Sequence, residues 1–273
     1  MEFKDDIDNE CGFHIEKKGA FCSPADIVDK LAELILDTSP KNDKIILKSL
    51  KDKYSCNTEV CVLTQPEVIQ VIGQSTEKII EEHFKPDGPR DNNRWLSNTD
   101  IDSVLIQIQK KYVNKHFLHI EFQMIDFETT QSELTKLDWP AKYKEGFRTF
   151  GAVFNTDTSR GRGQHWFAIY ANFEDNAPEF TLEYFNSSGE LPMNQISTWM
   201  KRVKHKWQSA FNKSIQDIIV TRIVNQQDNW NCGAYSLYYI ISRLDGTPYQ
   251  YFKNNAIGDS NMQEFRKYLF RKD

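Results

Sequence analysis

The chain has 273 residues, long for one domain and short for three, and 39% hydrophobic content with 18 Phe, 11 Tyr and 6 Trp is enough for a real core. A formal net charge of −5 gives no overall pull toward nucleic acid or an anionic membrane. No apolar run approaches the roughly 20 residues of a membrane span, and the acidic opening Met1 to Glu10 lacks the apolar stretch of a secretory signal, so no membrane partner is expected.

Residues up to about Phe84 read as helical. Ala25, Val28, Leu31, Ala32, Leu34 and Ile35 form a helical stripe, with Ser23 and Pro24 as N-cap and first-turn proline. Lys44 to Lys53 is a short lysine-rich helix with Ile45, Ile46, Leu47 and Leu50 on its apolar side. Pro66 to Phe84 is a further helix or two, interrupted at Gly73. Two prolines and a glycine among polar residues make Lys85 to Asn93 the best linker. The division expected is therefore a helical unit over 1–85 and a second unit over 86–273.

Beyond it, Trp95 to Ile101 opens a helix with Ile101, Val104, Leu105 and Ile108 inward and Ser97, Asn98 or Thr99 as cap. Strands are expected over Phe117 to Phe127, Thr149 to Asn155, His165 to Phe173 and Phe180 to Asn186. The loop Thr156 to Gln164 carries Gly161 and Gly163 but lacks the Gly-Lys-Ser/Thr ending of a phosphate loop, so nucleotide binding gets little weight. A long helix starts at Pro192 with Ile196, Trp199, Met200, Val203, Trp207 and Phe211 on one side. Lys201, Arg202, Lys204, His205 and Lys206 crowd the other. Such a basic face is ordinarily solvated, and in an acidic chain nucleic acid is a disfavoured partner. The run Ile218 to Val224 reads as a strand, Ala234, Leu237, Tyr238, Ile241 and Leu244 as one face of a helix, and Asn261 as the cap of a final helix.

The cysteines, Cys11, Cys22, Cys56, Cys61 and Cys232, are an odd and sparse set in a chain too large to need staples, which points to free thiols in a reducing compartment. Cys56 and Cys61 have no second Cys or His pair beside them, so neither zinc nor any cofactor is expected. Cys232 differs from the rest. It sits where a strand and the polar turn Gln226 to Asn231 hand over to a helix N-terminus, where unpaired N–H groups and the helix dipole favour a thiolate.

Taken singly, Cys232, His165 and Asn186 have ordinary readings as a packed thiol, a strand-start histidine and a turn asparagine. Together they offer more. If the strands beginning at His165 and ending at Asn186 are antiparallel neighbours, both residues meet at one sheet edge. A thiolate, an imidazole to move its proton, and a group fixing the imidazole tautomer are what a cysteine protease requires.

The order Trp95-Leu96, His165-Trp166, Tyr184-Phe185-Asn186-Ser187, Gln226-Gln227 and Cys232-Gly233 resembles the cysteine proteases that process ubiquitin-like modifiers, the SUMO-specific group. It is similar in particular to the asfarvirus-type polyprotein-processing members, and the resemblance runs from Pro86 to the C-terminus with Phe154 to Asp157 and Arg243 to Asp245 included. The segment Cys61 to Pro66 is similar to part of the extra helical arm of those viral enzymes. The resemblance implies an α+β fold, a papain-like mixed central sheet flanked by helices, behind that N-terminal arm. It implies Cys232 as nucleophile, His165 as general base and acid, and Asn186, where most of the group has Asp, as the residue orienting His165. The oxyanion donor is implied to be Gln226, six before Cys232, with Gln227 the alternative because the intervening turn is shortened here. Trp95 and Trp166 match two tryptophans that roof a channel too narrow for any Cβ, which selects Gly-Gly before the cut. The implied substrates are viral polyproteins cut at Gly-Gly-Xaa to mature structural proteins, in the virion and at assembly sites in the host cytoplasm. The alternatives are an isopeptidase acting on host SUMO or ubiquitin conjugates, and a binding module that kept only the fold.

Overall fold

The computed structural model describes residues 9–17, 19–35, 42–73, 76–91, 93–211, 213–220 and 223–271. Among these its contacts separate two units, one within residues 89–266 and one within residues 9–88 with 267–271. Residues 267–271, which the sequence division joins to the second unit, therefore group with the helical one.

The helical unit contains α1 (Ala25–Glu33), α2 (Asp43–Tyr54), α3 (Glu59–Leu63), α4 (Pro66–Ile72) and α5 (Thr76–His83). Leu31, Leu50, Val62, Leu63 and Val68, each fully buried, are its core. α1 begins one residue later than expected, with Pro24 at the cap position and no side-chain cap bond. Ser23 serves a different end: its N–H and hydroxyl donate to Glu59 Oε1 at 3.0 and 2.6 Å, while the Cys22 N–H donates to Glu59 Oε2 at 2.8 Å. That buried carboxylate ties α3 to the segment before α1, and burial raises its pKa despite those donors. The expectation of free thiols fails here. Cys11–Cys22 and Cys56–Cys61 are disulfides, both in this unit, and Cys232 is the one free cysteine. The whole chain is large enough to fold without staples, but the helical unit by itself is of the size at which a core is marginal and cross-links help.

The other unit starts with α6 (Asn98–Lys111), closed by a capping box in which Ser97 accepts from the Asp100 N–H and Asp100 accepts from the Ser97 N–H. The strand expected over Phe117 to Phe127 is two short ones, β1 (Phe117–His119) and β2 (Gln123–Met124). The break has a cause in α6: Gln109 takes the His119 N–H at 2.7 Å and Asp102 takes the Phe122 N–H at 2.9 Å, so side chains capture ladder donors. Short helices α7 (Glu133–Lys136) and α8 (Trp139–Lys144) lead to β3 (Thr149–Asn155), β4 (Trp166–Asn172) and β5 (Phe180–Phe185). Then come α9 (Asn194–Phe211), β6 (Ile215–Ile219), α10 (Cys232–Leu244), α11 (Tyr249–Asn254) and α12 (Asp259–Leu269).

The sheet order is β1-β3-β4-β5-β6, with β2 also on β3; the β3–β4 and β4–β5 pairs are antiparallel and the others parallel. This is the mixed sheet flanked by helices. β3 and β5 are buried along their full length because both faces are covered. Trp139, Phe154, Phe167, Tyr184, Trp199 and Trp207 fill one face beneath α8 and α9. α10 covers the other so closely that a Cβ on Gly151 of β3 would lie 3.1 Å from Ile240. Two boundaries differ from expectation. β6 ends at Ile219, and of the run expected as far as Val224, residues 221 and 222 lie outside those described. α12 starts at Asp259, so Asn261 is inside it, and Asp259 takes the Gln227 and Asp228 N–H groups at 3.0 Å instead.

Candidate active site

β4 and β5 pair with Ala168 opposite Phe185, which brings the residue before β4 beside the residue after β5. His165 Nε2 lies 2.6 Å from Asn186 Oδ1. Three other bonds set the direction of that amide. Ser188 donates to Oδ1 from its N–H at 3.0 Å and its hydroxyl at 2.9 Å, and Asn186 Nδ2 donates to the Tyr184 hydroxyl at 3.1 Å. With Oδ1 facing the ring, Nε2 must carry the imidazole proton, which leaves the Nδ1 lone pair as base. Sequence reasoning missed Tyr184 as the support of Asn186, although two-residue spacing on a strand puts both on one face.

Cys232 begins α10 and is 1% exposed. The backbone N–H groups of Trp166, Gly233 and Cys232 itself are near enough to the sulfur to favour its charged form. The first of these is the residue directly after His165, so the chain brings sulfur and imidazole to the same strand end. A Cβ on Gly233 would lie 3.1 Å from Leu96, so glycine lets the helix start seat closely against the Trp95-Leu96 segment. The thiolate expected at a helix N-terminus is outweighed. Burial, abetted by Asp228, pushes the Cys232 thiol up to about 11 against the three N–H groups that lower it. Burial also moves His165 below its ordinary value, with Asn186 and Glu190 opposing. Burial thus disfavours the charged form of both the thiol and the imidazole.

The turn before Cys232 is organised by Asp228, which accepts from the Trp230 and Asn231 N–H groups at 3.1 and 3.0 Å. Gln226 is inside this network: Oε1 accepts from the Ser187 hydroxyl at 2.8 Å, and Nε2 donates to Asp228 O and Oδ1 at 2.9 and 3.2 Å. Its amide is committed to Asp228 in this state. Gln227 is exposed. Below the turn, buried Arg266 donates to the Arg94 carbonyl at 2.7 Å and to the Trp230 carbonyl at 3.4 Å.

Trp95 and Trp166 line one cleft of about 500 Å³ together with Leu96, Phe122, Met124 and Arg162. Trp166 is 5% exposed and donates through Nε1 to the Leu96 carbonyl at 2.9 Å. Trp95 is 43% exposed, and its Nε1 bonds the Asn229 carbonyl of the turn before Cys232. One indole is therefore largely structural wall, and the other stands open.

α10 is held on the sheet by a buried ion pair that sequence reading could not foresee. Glu183 of β5 accepts from Arg243 Nε and Nη2 at 2.8 Å, from Tyr239 at 2.6 Å and from Thr181 at 2.6 Å. It joins the helix bearing Cys232 to the strand that delivers Asn186.

Residues 152–273 match the Ulp1 protease family, C-terminal catalytic domain (Peptidase_C48). A cysteine protease of African swine fever virus is 35% identical over 267 residues, covering 91% of this chain and 96% of that protein. The chain belongs to the Ulp1 family of cysteine proteases. A further relative, from Acanthamoeba polyphaga mimivirus and named as a thiol protease, is 26% identical over 88% of this chain and 78% of its own. The crystal structure of the African swine fever virus protease is similar across both units of the chain, with a TM-score of 0.82 at 32% identity, covering 97% of this chain and 96% of that one. This Ulp1-family chain is accordingly a thiol protease, a hydrolase with a protein substrate.

Among the described residues no group of three His, Cys, Asp or Glu could hold a metal ion, and no helix is long and apolar enough to cross a membrane. On the basic face of α9, Arg202 pairs with Glu128, and Lys204 with Asp217 at 3.2 Å, so part of that charge is already neutralised.

Proposed function

We propose that the chain is an endopeptidase cutting after Gly-Gly in viral polyproteins, with Cys232 as nucleophile, His165 as base and then acid, and Asn186 holding the ring. The observation that carries the assignment is the 2.6 Å contact of His165 Nε2 with Asn186 Oδ1, at the strand end where the free Cys232 lies near the Trp166 N–H. In the reaction Nδ1 of His165 takes the thiol proton as sulfur attacks the scissile carbonyl, then gives it to the leaving amine; water repeats the cycle to release the acid. The backbone N–H of Cys232 and the amide of Gln226 receive the oxyanion, Gln226 exchanging Asp228 for the substrate oxygen. Gln227 remains the alternative donor.

Gly-Gly preference is supported by the cleft that joins Trp95 and Trp166 next to Cys232. Maturation of structural proteins in the virion and at cytoplasmic assembly sites is proposed from the similarity to a viral protease over most of both chains. The test is cleavage of a Gly-Gly-Xaa reporter by wild type against Cys232→Ser. Loss of cutting with the fold intact is expected, and full activity of the variant ends the assignment.

A second reading is supported by another African swine fever virus relative, 35% identical over 91% of this chain, that is named a SUMO-1 cysteine protease. It would make the chain an isopeptidase on ubiquitin-like conjugates. Faster turnover of a SUMO conjugate than of Gly-Gly peptides under the same conditions would favour it.

A further inference from the structure

The loop from Thr156 to Gln164 has no part in the chemistry above, yet it is firmly fastened beside the cleft. Asn155 Oδ1 accepts from the Asp157 and Gln164 N–H groups at 2.9 and 3.0 Å. Asp157 accepts from the Thr158 N–H at 2.8 Å and from the Gly163 N–H at 3.1 Å. Asp126 accepts from the Ser159 N–H and hydroxyl at 2.9 and 2.8 Å. Both glycines are required by this arrangement: a Cβ on Gly161 would lie 2.0 Å from the Asp157 carboxylate, and Gly163 has φ +88°. Three polar side chains and two glycines thus fix a surface segment that carries no catalytic group. Loops held in this way are commonly binding loops.

What the loop holds out is Arg162. It lines the same cleft as Trp95 and Trp166, is exposed, and has no hydrogen-bond or ion-pair partner among the described residues. The carboxylates nearest in the chain, Asp157 and Asp126, already accept backbone N–H groups of the loop. A cleft of about 500 Å³ is also larger than two glycines need, and beside Arg162 its lining includes the apolar Phe122 and Met124. Substrate residues preceding the glycine pair therefore have room in the cleft, and the one formal charge among its lining residues is positive.

Resting on the Gly-Gly reading above, we infer that Arg162 is a specificity-determining residue, which selects substrates carrying Asp or Glu at one of the two positions before Gly-Gly. The guanidinium offers a planar fork to a carboxylate, and the fastened loop has already lost the conformational freedom that such a contact otherwise costs. The contact is the same in ground and transition state, so it acts on KM and leaves kcat alone.

The experiment measures kcat and KM for a fluorogenic Gly-Gly peptide with neutral flanks. It is repeated for peptides with Glu, Gln or Lys at each of the two preceding positions. With wild type, Glu at one position is expected to raise kcat/KM over Gln by about threefold to tenfold through KM, Lys to lower it, and added salt to shrink the ranking. Arg162→Ala flattens the ranking and Arg162→Glu inverts it to favour Lys, with unchanged thermal melting showing that the fold is kept. Equal kcat/KM for Glu, Gln and Lys at both positions in wild type, with the neutral parent still cut, overturns the inference and leaves the Gly-Gly reading standing. A Glu preference that survives in Arg162→Glu overturns it too. If the neutral parent is not cut, the Gly-Gly reading fails and this inference goes with it.

Discussion

The two units solve the problem of holding a shape in different ways. Residues 89–266 bury an aromatic-rich sheet between helices and fasten their special loops with side-chain carboxylates and amides. The helical unit has short helices, a buried Glu59 receiving three donors, and two disulfides. A large sheet core can bear the cost of a buried free thiol and a buried ion pair. A small helical core gains more from cross-links that restrict its unfolded chain. The comparison also separates the cysteines: four are paired in disulfides, and the fifth, Cys232, is free at the start of α10.

The largest expected effect lies in the sheet unit. Cys232→Ser or His165→Ala should lower kcat on the order of 10⁴-fold or more, without changing the melting of either unit. Comparable loss from any substitution confined to the helical unit would erase the distinction drawn above. Next, Glu183→Ala leaves Arg243 buried without its partner, at a cost of about 3–5 kcal/mol, read as a fall in chemical-denaturation midpoint. Because Glu183 bridges α10 to β5, kcat should fall as well, and a variant of unchanged stability would show that this pair does not hold the site.

Smaller still, Gln226→Ala should cost about 10²- to 10³-fold in kcat if its amide leaves Asp228 for the oxyanion, and Gln227→Ala little. The reverse order would transfer the role to Gln227. In the helical unit, removing Cys11–Cys22 by paired serine substitution should cost about 2–3 kcal/mol there, while labelling of Cys232 by a thiol reagent stays as in wild type.

The mildest change is in pH dependence. Burial lowers His165 and raises Cys232, so acidification protonates the base and removes activity. The rising limb of kcat/KM should be centred below 6.5, and the falling limb should lie in the alkaline range toward 11, both belonging to the coupled pair. Thiolate absorbance already present at neutral pH would mean a resting ion pair instead of two neutral groups.

Much of this was legible before any coordinates. The β3 boundaries followed from an apolar run, the interruption at Gly73 from its backbone freedom, and the meeting of His165 with Asn186 from strand order alone. Other features were not. Gln109 and Asp102 of the packed helix α6 break the strand after Phe117, and Asp259 at the start of α12 holds the turn at Gln227. Both are contacts between residues distant in the chain, which local periodicity does not encode.

What the sequence by itself determined is the set of chemical groups, their order and the local shapes that carry them: a cysteine at a helix start, and a histidine and an asparagine at facing strand ends. Those follow from short-range rules of periodicity, capping and turn chemistry. Only the tertiary structure decided their states. Whether Cys232 rests as thiol or thiolate depends on how much protein covers it, whether Gln226 is free depends on where Asp228 stands, and which thiols pair depends on which segments meet. Burial and charge are properties of the packed whole, set by neighbours that come from anywhere in the chain.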